Sequence, residues 1–232
     1  MRACRTAFEA GKNQVKLYFM NGLPTETKED IEGIAKLAKD VIELYYSLPG
    51  TKKSRQPQVT ISVSCFIPKP FTPFQWEAQD SLEMLEEKQR WLRDAITDRK
   101  IRYTWHDARV SRIEAVFARG DRRLAGALLE GRRRGRRFDS WDEFFDYDSW
   151  IEIFETVGID PSFYANRKFG RDEILPWDVI DCGVEKRFFA SEADKAYACS
   201  TTPSCAEKCS GCGANKMGGD CRWCPGISDN KN

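Results

Sequence analysis

QVKLYFMNGLPTET, residues 14–27, is the stretch whose reading decides the fold. The apolar run from Val15 to Met20 meets Gly22 and Pro24, residues that end regular structure. Residues 28–46, KEDIEGIAKLAKDVIELYY, follow at once. They place Ile31, Ile34, Leu37, Val41, Leu44 and Tyr45 at helical spacing. Thr27 and Asp30 have the spacing of a capping box, with Asp in place of the usual Glu or Gln. The stretch therefore reads as a strand feeding a tight turn and then a helix.

The pattern repeats downstream. Leu48-Pro49-Gly50 ends the helix, and TKKSRQPQ reads as a loop. In VTISVSCFI, residues Val59, Ile61, Val63, Cys65 and Ile67 share one face of a second strand, closed by Pro68, Pro70 and Pro73. Residues 76–97 predict a second amphipathic helix, with Leu82, Leu85, Leu92 and Ile96 as its stripe. KIRYTWHD (100–107) predicts a short third strand. The order β-α-β-α-β predicts an α/β fold with a parallel sheet or barrel. Beyond it, residues 108–165 read as helical, with Ser111 and Glu114 at capping-box spacing and Gly120 as a stop.

Composition excludes some function classes. The chain has 232 residues, 41% hydrophobic, enough for one large or two small cores. Net charge is +1, so overall charge names no polyanionic partner. No run approaches the length of a membrane span. The start, MRACRTAFEAGKN, has no apolar leader segment, so a cytoplasmic, reducing setting is expected. One histidine, His106, excludes sites built from several. His106-Asp107 reads as a strand exit and cap, with an acid/base pair as the alternative.

Charge is segregated along the helical part. Residues 99–137 hold thirteen Lys and Arg against four Asp and Glu, a net of +9. Residues 138–181 hold three against twelve, a net of −9. GRRRGRR (131–137) could grip nucleic-acid phosphates, but the acidic segment beside it favours an internally neutralised face. Aromatic residues at 141, 144, 145, 150 and 154 have near-helical spacing and are expected in the core. Arg119-Gly120-Asp121 is an adhesion tripeptide by letters only.

Six of nine cysteines crowd the last 34 residues: Cys199, Cys205, Cys209, Cys212, Cys221 and Cys224. In a reducing setting such crowding points to metal. Cys209-x2-Cys212 and Cys221-x2-Cys224 suit zinc or an iron–sulfur cluster equally, and Cys205 extends the candidate set.

LYFMNGLPTET with its helix resembles the fifth-strand region of radical S-adenosylmethionine (SAM) enzymes. SVSCFIPKPFTPFQW resembles the sixth strand and its proline-rich exit. WHDARVSRIEAVFARGDRRL, FDSWDEFF, LPWDVIDCGVEKRFF and the cysteine-bearing end are similar to one subgroup, the uncharacterised cobalamin-binding radical SAM proteins with a helical extension. The resemblance implies a partial (β/α) barrel over 1–107, a helical extension over 108–198 and a Cys-rich irregular tail over 199–232. It implies that the strand ends near Met20 and Gly22 and near Phe66 flank the adenine of SAM, with Glu26 and Pro68 as further cofactor-binding candidates. Glu26 matches the acidic position of the family's Gly-x-x-Glu element with one extra residue.

The cluster-binding motif, Cys-x3-Cys-x2-Cys after a first strand, does not occur ahead of residue 14. Cys205, Cys209 and Cys212 have that spacing but follow the barrel pieces, so they read as an auxiliary iron–sulfur or zinc site. The resemblance thus implies the C-terminal portion of a larger enzyme. Its [4Fe–4S] cluster and cobalamin would belong to a missing N-terminal half, on the same or a separate polypeptide, and this chain alone would not turn over. Two alternatives from other classes are a metal-stabilised RNA-binding module using residues 131–137 and a small electron-transfer protein using the tail.

Overall fold

The computed structural model describes residues 1–49 and 55–214. Helix α1 (Arg2–Glu9) leads into strand β1 (Gln14–Asn21), helix α2 (Lys28–Ser47), strand β2 (Gln58–Cys65), helix α3 (Leu82–Ala95) and strand β3 (Ile101–Trp105). Helices α4 (Ala108–Arg119), α5 (Leu124–Arg133), α6 (Tyr147–Thr156), α7 (Pro161–Ala165) and α8 (Lys186–Tyr197) follow.

The sheet is parallel, in the order β1-β2-β3, with both outer strands open. Gln14 to Asn21 pair in register with Gln58 to Cys65, and Val59 to Val63 with Ile101 to Trp105. Alternation explains its two faces. Val15, Leu17, Phe19, Val59, Ile61, Val63 and Ile101 meet Ile31, Ile34, Ala38, Val41 and Leu92 in one core. The opposite face carries Lys16, Tyr18, Met20, Thr60, Ser62, Ser64, Arg102 and Thr104, all exposed or half-buried. Among the described residues, helices thus cover one face only. The α/β expectation holds as a small open parallel sheet with helices.

Local signals explain most boundaries. The Thr27 capping box forms in both directions: the Thr27 side chain accepts from Asp30 N–H, and Asp30 accepts from Thr27 N–H at 2.9 Å. Helix α3 starts six residues later than residues 76–97 predict. Trp76, Glu77 and Gln79 are buried in an irregular segment, and Ser81 caps the helix by accepting from Met84 N–H. The expectation at Ser111 is corrected. Asp107 caps α4 by accepting from Arg109 N–H, while Ser111 lies inside the helix and is fully buried. Gly120 does terminate α4. A β-carbon there would lie 2.8 Å from the Val116 carbonyl and collide with Leu124.

The helical part has two cores. Ile113, Val116, Leu124, Trp150, Ile153, Phe154 and Tyr164 form one, and Trp76, Phe169, Leu175, Trp177 and Phe189 the other. The aromatic expectation is half right. Trp150 and Phe154 are buried, but Trp141 and Phe144 are more than half exposed, because residues 138–146 form turns instead of a helix. Arg119 is fully buried. Its guanidinium donates to the carbonyls of Tyr164 (2.5 Å), Ala165 (2.7 Å) and Arg167 (2.6 Å) and lies 4.1 Å from the Phe169 ring centroid. It thereby satisfies the carbonyls that the end of α7 leaves open. Burial, chiefly, pulls its pKa down to about 10. The Arg-Gly-Asp letters therefore describe an interior cap.

Candidate functional site

In parallel α/β sheets, ligands gather where the strands end at their carboxyl termini. Here the three strands end side by side at Asn21, Cys65 and Trp105. The Phe66 N–H donates to the Asn21 carbonyl at 2.7 Å, and the His106 N–H to the Val63 carbonyl at 2.9 Å. The exits at Gly22, Phe66 and His106 are therefore neighbours.

The first exit is closed by its own turn. Gly22 has φ +82°, and Thr25 is also left-handed at φ +68°. That is a costly place for a β-branched residue. The turn returns Glu26 to the strand end, where its Oε2 accepts the Gly22 N–H at 2.7 Å. The same oxygen lies 2.9 Å from Lys88 Nζ, and Asp80 Oδ2 lies 2.8 Å from that nitrogen. Glu26 and Lys88 side chains are each 7% exposed, so this is a buried carboxylate–ammonium–carboxylate triad. Burial works against the Lys88 charge, but Asp80 and Glu26 outweigh it and hold its pKa above the ordinary lysine value.

Glycine at position 22 has an intramolecular explanation. A β-carbon there would sit 2.9 Å from Leu85 Cδ2 and 3.3 Å from Asp80 Oδ2. The space beside Gly22 where a β-carbon would sit is thus taken by Leu85 of α3 and by Asp80 just before it. Met20 projects on the uncovered sheet face, 43% exposed. Phe66 is buried edge-on to Phe74, and Pro68 is buried.

The second and third exits are fastened by amides. Gln79 Nε2 donates to the carbonyls of Phe66 (3.2 Å) and Ser111 (3.3 Å). Gln89 Nε2 donates to the His106 carbonyl at 3.0 Å and contacts Cys65 Sγ at 3.5 Å. Burial pushes the Cys65 thiol pKa up, so it is held as a neutral thiol. His106 Nδ1 is 2.8 Å from Ser111 Oγ. The helical extension locks this layer: Asn166 Nδ2 donates to the carbonyls of Gln79 and Asp80, at 3.0 and 2.9 Å. Two buried acceptors, Asn21 Oδ1 and Gln79 Oε1, have no donor among the described residues.

The sequence names Met20, Gly22, Glu26, Phe66 and Pro68; of these, Gly22, Glu26 and Phe66 meet at the strand ends. It does not name Asp80, Lys88 and Gln89. The available signal was position: 88 and 89 fall between Leu85 and Leu92 on the inward stripe of α3, where a Lys and a Gln need partners.

The cysteine end is separate. Cys205 and Cys209 are exposed and Cys212 is half-buried. Among the described residues, His, Cys, Asp and Glu form no group of three placed to hold a metal. Cys221 and Cys224 lie outside the described residues. The arginine-rich stretch is largely neutralised within the chain. Arg134 pairs with Glu130 (3.0 Å) and Glu152 (3.2 Å), and Arg136 with Asp139 and Asp146. Gly131 is buried against Trp150. No helix among the described residues is long and apolar enough to cross a membrane.

Comparison with known proteins finds an uncharacterised protein of Methanocaldococcus jannaschii, 36% identical over 149 residues. The match covers 64% of this chain and 31% of that protein's length. No family model and no solved structure matches.

Proposed function

We propose that this chain is the closing part of a radical SAM (β/α) barrel, in which the exits of β1 and β2 form one wall of the SAM pocket. One observation carries the reading. A parallel sheet is normally covered on both faces, yet here helices cover one face and the other is lined by Lys16, Tyr18, Met20, Thr60, Ser62, Ser64, Arg102 and Thr104. A mostly polar face that no described helix covers suits the lumen of a barrel that further strands complete. That the M. jannaschii relative is much longer than the matched segment agrees with a larger parent protein.

The residues fit a nucleoside in part. Asn21 Oδ1 and Gln79 Oε1 are acceptors in need of donors at the two exits, such as an amino group would supply. Glu26 is committed to Gly22 and Lys88, so its role is to hold the turn in shape. SAM bound to a [4Fe–4S] cluster supplies the radical chemistry in such enzymes. On the resemblance, the cluster and cobalamin belong to an N-terminal half. An auxiliary zinc or iron–sulfur group would draw on Cys205, Cys209 and Cys212 with Cys221 and Cys224.

The test is photolabelling of the 232-residue chain with an 8-azido analogue of SAM, with and without excess SAM. Covalent capture reports a partial pocket even where affinity is low. The reading expects SAM-protected adducts within residues 20–27 or 64–70. Adducts elsewhere only, or none that SAM suppresses, would overturn it.

A further inference from the structure

A second pocket opens at the same end of the sheet, on its helix-covered side. A cavity of about 320 Å³ lies between α3 and the start of α4. Its lining includes Arg90, Arg93, Arg109, Gln89 and Trp105. Three exposed arginines thus line one small cleft. The Arg93 guanidinium lies over the Trp105 ring at 4.9 Å, and Trp105 in turn stacks on Tyr103 at 4.8 Å. Neither Arg90 nor Arg93 has a carboxylate within ion-pair distance among the described residues. Arg109 has only Glu86, with Nε to Oε1 at 4.0 Å. The acidic lining groups are otherwise engaged or exposed: Asp107 Oδ1 accepts the Arg109 N–H at 2.6 Å, and Glu86 is 40% exposed. Gln89 is buried and donates its amide to the His106 carbonyl, which fixes the floor of the cleft.

We propose that this cleft binds an oxyanion, a phosphate or carboxylate group of a small ligand, gripped by Arg90, Arg93 and Arg109. Arginine forks match such groups in two-point geometry. Arg119, Arg134, Arg136 and Arg167, by contrast, are spent on carboxylates or carbonyls. This inference rests on the reading that the carboxyl edge is the ligand side, but not on SAM occupying the other exits.

Calorimetric titration of the intact chain at low ionic strength, with inorganic phosphate and with malonate in separate runs, tests it. The expectation is saturable binding of at least one; whichever binds identifies the source of the oxyanion. The Arg90→Ala/Arg93→Ala variant should weaken that binding about tenfold or more, as expected for lost charge-assisted bonds. Arg132→Ala/Arg133→Ala, an exposed pair elsewhere, should not. In the unsubstituted chain the Trp105 indole N–H resonance, assigned with Trp105→Phe, should shift on titration. Binding of neither anion, equal loss in both double variants, or a silent Trp105 would overturn the proposal. SAM photolabelling of the Arg90/Arg93 variant separates the two readings, because it is expected to be unchanged.

Discussion

Replacing Lys88 by Met tests whether the buried triad holds the carboxyl edge together. Met keeps most of the side-chain volume and removes the ammonium, leaving Glu26 and Asp80 facing each other across the gap. Glu26 is 7% exposed and Asp80 is 32% exposed, so the charge stranded at Glu26 dominates and that at Asp80 is partly relieved by water. Removing one partner of a buried pair costs about 3–5 kcal/mol; the partial exposure of Asp80 places this case near the lower end, at about 3 kcal/mol. For a chain of this size each kcal/mol moves the melting temperature by about 2–4 °C, giving a drop of roughly 6–12 °C. The companion Glu26→Gln/Lys88→Met should recover more than half of that loss. A Gln oxygen can still accept the Gly22 N–H, and no lone carboxylate remains at position 26. Thermal melts of the parent, both single variants and the double form the cycle. A Lys88→Met melt within about 2 °C of the parent, or strict additivity across the cycle, would refute the reasoning.

Other consequences can be measured directly. Gly22→Ala should lower the melting temperature by several degrees, through its left-handed backbone and the Leu85 contact, with α3 amides showing the largest shifts. Arg119→Met should cost about 3 kcal/mol or more, because three buried carbonyls at the end of α7 lose their donor; Arg119→Lys should restore only part. Cys65 should resist alkylation at pH 8 in the folded chain while exposed Cys205 reacts, as peptide mapping would show. The linkage at Lys88 has a definite sign. Its folded pKa is raised, so its contribution is complete below the unfolded value near 10.5 and fades as pH rises through the folded value. Lys88→Met should therefore flatten the alkaline loss of stability above about pH 10.5.

Much of the α/β part was legible because each element carries its own signal. The period-two run of β2, the helical stripe of α2 and the Thr27–Asp30 pair each specify local geometry without help from distant residues. What was not legible depended on tertiary partners. Lys88 and Gln89 look like solvent residues until Glu26, Asp80 and the His106 carbonyl are brought alongside. Ser111 has the spacing of a cap, but Asp107 stands four residues earlier and caps α4 first. Residues 76–81 have enough apolar character to suggest a helix, yet Trp76 and Gln79 are buried by α7 and its following loop, over eighty residues away. The site follows the same division. Gly22 and Phe66 could be named from strand ends, whereas the arginine cleft needs α3, β3 and α4 assembled before three scattered residues become neighbours.

The two outer strands have a consequence for how copies of the chain meet. Each carries a single cation on the bare face, Lys16 on β1 and Arg102 on β3. If β1 of one molecule annealed to β3 of another in the register that β2 keeps with both, Lys16 would stand beside Arg102, two cations on strands about 4.8 Å apart. That repulsion guards against fibre-like growth, and salt weakens it because counterions shorten its reach. Ionic strength therefore acts as the dial between dispersed chains and stacked ones.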